Sequence, residues 1–202
     1  MGVTSCTESV APPQPFTGES IDNLDEIRRF YPMAEGSIWR YNASGDVILE
    51  YEIVEMGEKN GGPTANLEVL VEGSIYKEYM RWSGENLLSS VSGDFTSESK
   101  ELDGPFYEGA RWRKTDQSSG DYVFYIDSEI LDLHYSVSVP AGEFESVLVR
   151  EVRYTFNPVS GESSDTTYVY FVQDYGIVKW DIAGLLYELT DYLPGDGENG
   201  DE

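Results

Sequence analysis

Residues 47–80, VILEYEIVEMGEKNGGPTANLEVLVEGSIYKEYM, decide the fold. Val47, Leu49, Tyr51 and Ile53 fall on one parity while Glu50 and Glu52 fall on the other. Ala65, Leu67, Val69 and Val71 repeat the pattern against Asn66 and Glu68. A period of two with one apolar face is the signature of a half-buried strand. Between the runs, residues 57–62 (GEKNGG) supply Asn60-Gly61 for a tight turn. Glu72-Gly73-Ser74 then reverses the chain into Tyr76, Glu78, Met80 and Trp82. Successive hairpins of this kind make an antiparallel meander.

Downstream the same grammar continues. Tyr122 to Ile126 is a short apolar run, and Leu133, Tyr135, Val137 and Val139 alternate with His134, Ser136 and Ser138. Val139-Pro140-Ala141-Gly142 reads as a three-residue hairpin loop, with Phe144 to Phe156 returning as a long strand and Ser160 to Asp165 as a polar loop. Thr166–Val172, Gly176–Asp181 and Leu186–Tyr192 complete the sheet. Only LDEIRRF (Leu24–Phe30) reads as a short helix, with Asn23 as its cap. Ser89 to Asp103 is polar and irregular and receives no element.

Two nine-residue segments, Pro32 to Arg40 and Pro105 to Arg113, coincide in Pro, Glu, Gly, Trp and Arg at an offset of 73 residues. Each makes a turn and then a strand: Pro fixes φ, Gly permits a positive φ, and Trp39 or Trp112 is the first large side chain to be buried. The coincidence implies two related halves, about residues 32–104 and 105–193. The expected fold is all-β and mainly antiparallel, a single domain over residues 25–193. Its sheet curls into a strongly curved open barrel or a sandwich, with Trp39, Trp112, Tyr51, Val69, Val149 and Trp180 inside.

The chain has 202 residues, 38 Asp plus Glu against 13 Lys plus Arg, and a formal charge of −25. Four of the acids lie in residues 1–25 and four in residues 195–202, so the surplus belongs mostly to the body. Such a chain repels phosphate backbones and anionic lipid surfaces, which excludes nucleic acid as a partner. With one Cys and one His it can build neither a disulfide framework nor a Cys/His zinc site. No run of 18 apolar residues is present.

Residues 1–24, with Pro12, Pro13 and Pro15 among small polar residues, read as a disordered tether, and residues 194–202 as a disordered acidic tail. Val3-Thr4-Ser5-Cys6 resembles the lipobox of bacterial lipoproteins, which implies diacylglycerol on the Cys6 sulfur and an extracytoplasmic location. Met1-Gly2 then reads as a start that replaces a removed signal. Taken with the Glu-Gly-x-x-Trp corners, Val139-Pro140-Ala141-Gly142-Glu143-Phe144 and the segment Tyr170 to Lys179 resemble a widespread, largely uncharacterised family of secreted and lipid-anchored bacterial β-proteins. The resemblance covers about residues 30–193. The curved sheet of the Lol lipoprotein carriers is the nearest comparable architecture. The shared motifs are turn and strand devices, so the resemblance speaks to fold and compartment and is silent on activity.

No catalytic residues, metal ligands or cofactor are nominated. His134 falls on the outward parity of its strand, and Cys6 sits in a tether with no fixed base. Glu50 with Glu52, and Glu143 with Glu145, are two apart on outward faces and read as solvated strand charges. Residues 196–201 (DGENGD) lack the spacing of a twelve-residue calcium loop. Asn42-Ala43-Ser44 fits a glycosylation sequon but carries meaning only in a eukaryotic secretory setting. Tyr168 and Tyr170, two apart on one strand face, are candidates for contact with a ligand, against the simpler reading of core-facing aromatics. The expected function is non-enzymatic: a protein held at a membrane only through a lipid on Cys6, whose curved sheet takes an apolar small molecule or a partner protein. The alternative is an extracytoplasmic hydrolase working with paired carboxylates.

Overall fold

The structure is a computed structural model that describes residues 18–43, 47–59, 61–182 and 185–195. After a short helix, α1 (Leu24–Arg28), come twelve strands. The first six are β1 (Ile38–Ala43), β2 (Val47–Lys59), β3 (Gly62–Val71), β4 (Ser74–Ser83), β5 (Asn86–Ser90) and β6 (Ser99–Asp103). The second six are β7 (Arg111–Asp116), β8 (Val123–Val139), β9 (Gly142–Asn157), β10 (Gly161–Val172), β11 (Gly176–Ile182) and β12 (Leu185–Leu193). They form one antiparallel sheet in the order β6-β5-β4-β3-β2-β1-β12-β11-β10-β9-β8-β7. Two six-stranded meanders are thus joined along β1 and β12, where Ile38 pairs with Leu193 and Ala43 with Tyr187. The sheet curls into a nearly closed barrel, the first of the two expected shapes.

No backbone ladder joins β6 to β7, the two edges of the sheet. Side chains close the gap instead. The Trp112 indole N–H donates to the Lys100 carbonyl at 2.9 Å, and the Lys114 ammonium lies 2.6 Å from the Glu101 carboxylate.

The two Glu-Gly-x-x-Trp corners have the same backbone structure. Gly36 and Gly109 take φ of 82° and 83°, a region in which only glycine is unstrained. Each glycine N–H donates at 2.8 Å to the carbonyl of an isoleucine on the next strand, Ile53 or Ile130. That isoleucine's N–H donates back to Ser37 or Ala110. Trp39 and Trp112 follow, both buried.

Helix α1 stoppers one mouth. The Asn23 side chain accepts from the Asp25 and Glu26 N–H groups at 2.9 and 3.3 Å, the expected cap. The helix ends at Arg28, two residues earlier than expected. Ile27 is fully buried, Phe30 meets Phe106 edge to face at 5.4 Å, and Tyr31 stacks on Trp39 at 5.7 Å. Asp174 ties the stopper to the β10–β11 turn: its N–H donates to the Arg29 carbonyl at 2.7 Å, and its carboxylate pairs with the Arg29 guanidinium.

Several sequence expectations are corrected. Residues 18–24 were expected within the tether, yet Ile21 exchanges two 2.9 Å backbone hydrogen bonds with Phe106, because its side chain packs against the core. The unassigned stretch 89–103 holds the end of β5 and all of β6, short strands whose polar residues on both faces mask the alternation. The runs at 122–126 and 133–139 belong to one strand, β8, whose register breaks between Ile130 and Asp132 and between Asp132 and Tyr135 disturb its period. Val139 pairs with Gly142, so the hairpin connection is Pro140-Ala141, two residues and not three. Residues 161–165 extend β10 along β9. At the other end, the Gly195 N–H donates to the Ser37 hydroxyl at 3.0 Å. Cys6 and residues 196–202 lie outside the described residues.

Trp39, Trp112, Val69 and Val149 are buried as expected; Tyr51 and Trp180 are partly buried and packed against the core. Trp112 fills the interior and closes the seam at once. Trp112→Ala should therefore cost about 3–5 kcal/mol in urea unfolding. Trp112→Phe, which keeps most of the volume and loses the hydrogen bond, should cost about 1–2 kcal/mol.

Candidate functional site

The barrel is not packed solid. A cavity of about 340 Å³ lies between its walls, at the small end of the roughly 300–1,000 Å³ range of ligand pockets. Tyr31 and Trp39 form its floor, directly above the stopper helix. One side is an aromatic wall: Tyr41 meets Trp180 at 4.6 Å and Tyr51 at 6.0 Å, and Trp180 stacks on Tyr187 at 4.8 Å. Two of the polar ends here are already satisfied. The Trp39 indole donates to the Tyr175 carbonyl at 2.6 Å and the Tyr41 hydroxyl to the Ile177 carbonyl at 2.7 Å, which fixes both rings.

The wall nearest the seam carries charge. Lys114, from β7, lies 2.6 Å from Glu101 of β6 and 2.9 Å from Glu151 of β9. Glu101 also accepts from the Ser89 hydroxyl at 2.6 Å. Glu78 of β4 and Arg153 of β9 line the same cavity, Arg153 at an exposed position. Glu78 has neither an ion pair nor a hydrogen bond among the described residues. The Tyr51 hydroxyl also lacks a partner there.

The environment shifts these groups in different directions. Burial pushes the Glu78 carboxyl up to about 7, helped by the Glu101 charge and only partly opposed by Lys114. Burial likewise raises Glu151, with Lys114 pulling the other way. Burial pulls the Lys114 ammonium down, but the Glu101 and Glu151 carboxylates outweigh it, and its pKa ends above the ordinary lysine value. Burial raises the Tyr51 phenol, with Glu78 and Glu101 adding to the effect.

The residues singled out in the sequence lie elsewhere. Thr167 and Val169 of β10 face the cavity, so Tyr168 and Tyr170 are on the outside of the barrel. Tyr168 is 38% exposed, and Tyr170 lies beside Tyr135 at 5.6 Å and under the Lys179 ammonium at 6.0 Å. The same parity keeps Tyr168 off the interior, while Tyr170 is partly buried and packs against core residues. His134 is exposed, as its strand position implied, between Glu19 at 3.1 Å and Glu145 at 2.9 Å. Glu50 faces outward and pairs with Arg40 at 2.6 Å, while Glu143 and Glu145 are exposed. The sequence reading passed over Glu78, Lys114, Glu151 and Glu101. A signal existed for the first three: Glu78 shares the parity of Met80 and Trp82, Lys114 that of Trp112, and Glu151 that of Val147 and Val149.

Folding raises the Glu78 pKa from the ordinary carboxylate range to about 7. Through that window the folded chain binds the proton more tightly than the unfolded chain, so stability falls as pH rises through it. The loss at full ionisation is on the order of 3 kcal/mol. Glu78→Gln should therefore unfold at a higher urea concentration than the parent protein at pH 8, while the two converge at pH 5.

No protein-family model matches the sequence, and no curated protein does either. Solved structures share the fold. A protein of Bacteroides fragilis, inferred to be exported and described as having a YmcC-like fold, superposes with a TM-score of 0.56 at 18% identity, over 82% of this chain and 99% of that one. An inferred lipoprotein of Parabacteroides distasonis gives a TM-score of 0.56 at 12% identity, over 81% and 98%. At these identities the similarity establishes a common barrel architecture.

Proposed function

We propose that the protein is a non-enzymatic binder that works outside the cytoplasm, held to a membrane by lipid on Cys6, and that it encloses an apolar small molecule within its barrel. The observation that carries this reading is the cavity itself, concave and walled by Trp39, Tyr41, Tyr51, Met80, Leu87 and Trp180. Such a space suits a small molecule, since a partner protein needs a broad outer patch. Two features support the compartment: the Val3-Thr4-Ser5-Cys6 sequence, and an architecture shared with proteins described as exported or as lipoproteins. Stable anchoring requires more than one acyl chain, which the diacylglycerol of a lipobox cysteine supplies.

A second reading has one observation in its favour. Glu78, with its raised pKa, shares the cavity with Glu101 and Glu151, which is the composition of an acid and base pair for hydrolysis. Lys114 engages both of the other carboxylates, however, and the surrounding wall is aromatic, which favours binding.

N-phenyl-1-naphthylamine, a neutral apolar fluorophore, should brighten on addition to the protein and saturate at one equivalent. Met80→Trp, which fills the cavity, should weaken that binding at least tenfold without lowering the melting temperature by more than a few degrees. Hydrolysis of p-nitrophenyl glycosides that is lost in Glu78→Gln would move the assignment to the second reading. For the compartment, mass spectrometry of the gene product made in a bacterial host should show Cys6 at the new N-terminus, carrying diacylglycerol. An unmodified Cys6 with the upstream residues intact would remove the anchor.

A further inference from the structure

We infer that the ligand of this cavity carries one ammonium group on an apolar body, with the ammonium seated against Glu78 and the aromatic faces beside it. This assignment rests on the cavity-binding reading above and specifies the chemistry of what binds.

Charge balance is the first argument. Three carboxylates line the cavity, Glu78, Glu101 and Glu151, against two cations, Lys114 and Arg153. Lys114 is engaged on both sides by Glu101 and Glu151, and Arg153 sits at an exposed position, so Glu78 is left without a partner. One cationic group brings the cavity to three charges of each sign. An anionic head would add a fourth carboxylate-like charge beside Glu78. A neutral ligand would strip water from Glu78 and give nothing back, and uncompensated burial of a charge is costly.

Hydrogen-bonding capacity gives the second argument. Of the groups lining the space, the Glu78 carboxylate accepts and the Tyr31 and Tyr51 hydroxyls both accept and donate, and none of the three has a partner among the described residues. A primary ammonium has three donors and no acceptor, and it complements these groups. The rings supply the third argument. Trp39, Tyr51 and Trp180 border the cavity, and indole and phenol faces attract cations through their quadrupoles, more strongly when water is excluded. Finally, a net charge of −25 draws cations toward the mouth and turns anions away.

The test compares three molecules with one chain and three heads: decylamine, decanol and decanoic acid. Each is titrated at pH 8 into the full protein, with binding read from the tryptophan fluorescence that Trp39 and Trp180 contribute. Decylamine should bind at least tenfold more tightly than decanol, and decanoic acid most weakly. In Glu78→Gln the amine should fall to the level of the alcohol while decanol holds or improves; Glu78→Asp, which keeps the charge, should retain the amine preference. Loose attraction of amines to the acidic surface would be untouched by either substitution, so an amine preference that survives Glu78→Gln overturns the assignment. Equal binding of amine and alcohol, or a preference for the acid, also overturns it while leaving the cavity reading intact. If neither these molecules nor N-phenyl-1-naphthylamine binds, both readings fall together.

Discussion

Lys114 holds the barrel shut. Its ammonium reaches from β7 to Glu101 on β6, across the seam where the described sheet has no ladder of backbone bonds, and back to Glu151 on β9, two strands along its own side. The Trp112 indole makes the adjoining contact with Lys100. Burying three charged groups is expensive, and such a cluster survives only where each member answers another. Remove the lysine and two carboxylates are left facing each other in a poor solvent. The outer face of the edge strand β7 bears Arg111 and Arg113, each paired with an acid on β8, and this leaves little there to attract a foreign strand.

The cavity follows from that closure. Apolar side chains cannot cover a carboxylate without a cost in desolvation, so the wall around Glu78, Glu101 and Glu151 stays open where an ordinary barrel core would fill with leucine and valine. The opposite wall is built from large rings, of which Trp39 and Tyr41 have their polar atoms tied to backbone carbonyls. They cannot easily swing in to fill the gap. One interior therefore holds two environments, a rigid aromatic face and an ionic face with one unanswered member. An architecture shared at 18% identity speaks to the fold and not to these residues. The chemistry of this chain belongs to its own side chains.

How much of this was legible depends on which physical signal each element leaves. Period-two patterning exposed β2, β3 and β4 directly, and the two Glu-Gly-x-x-Trp corners marked the starts of β1 and β7, because a positive φ at Gly36 and Gly109 admits few other residues. The edge strand β6 was illegible: Ser99 to Asp103 carries polar residues on both faces, and its pairing with β5 shifts register between Leu87 and Leu88. That shift also turns Glu101 inward next to Leu102, a placement no alternation rule predicts. Glu78 was legible in principle, since it stands on the face of Met80 and Trp82. Among 38 acids, a charge on the apolar parity of a strand was the informative one, and acid pairs on outward faces drew notice instead. The aromatics Tyr168 and Tyr170 were plausible by type alone, and parity puts them outside.

The pairing of β1 with β12 has a temporal consequence. Ile38 meets Leu193, so one long edge of the first meander stays bare until β12, the last of the described strands, has been made. A ribosome would release β1 through β6 well before the strand that covers β1 exists, and contacts so distant along the chain form late and slowly. The circle closes only once β12 has emerged, and until then the β1 edge stands unsealed.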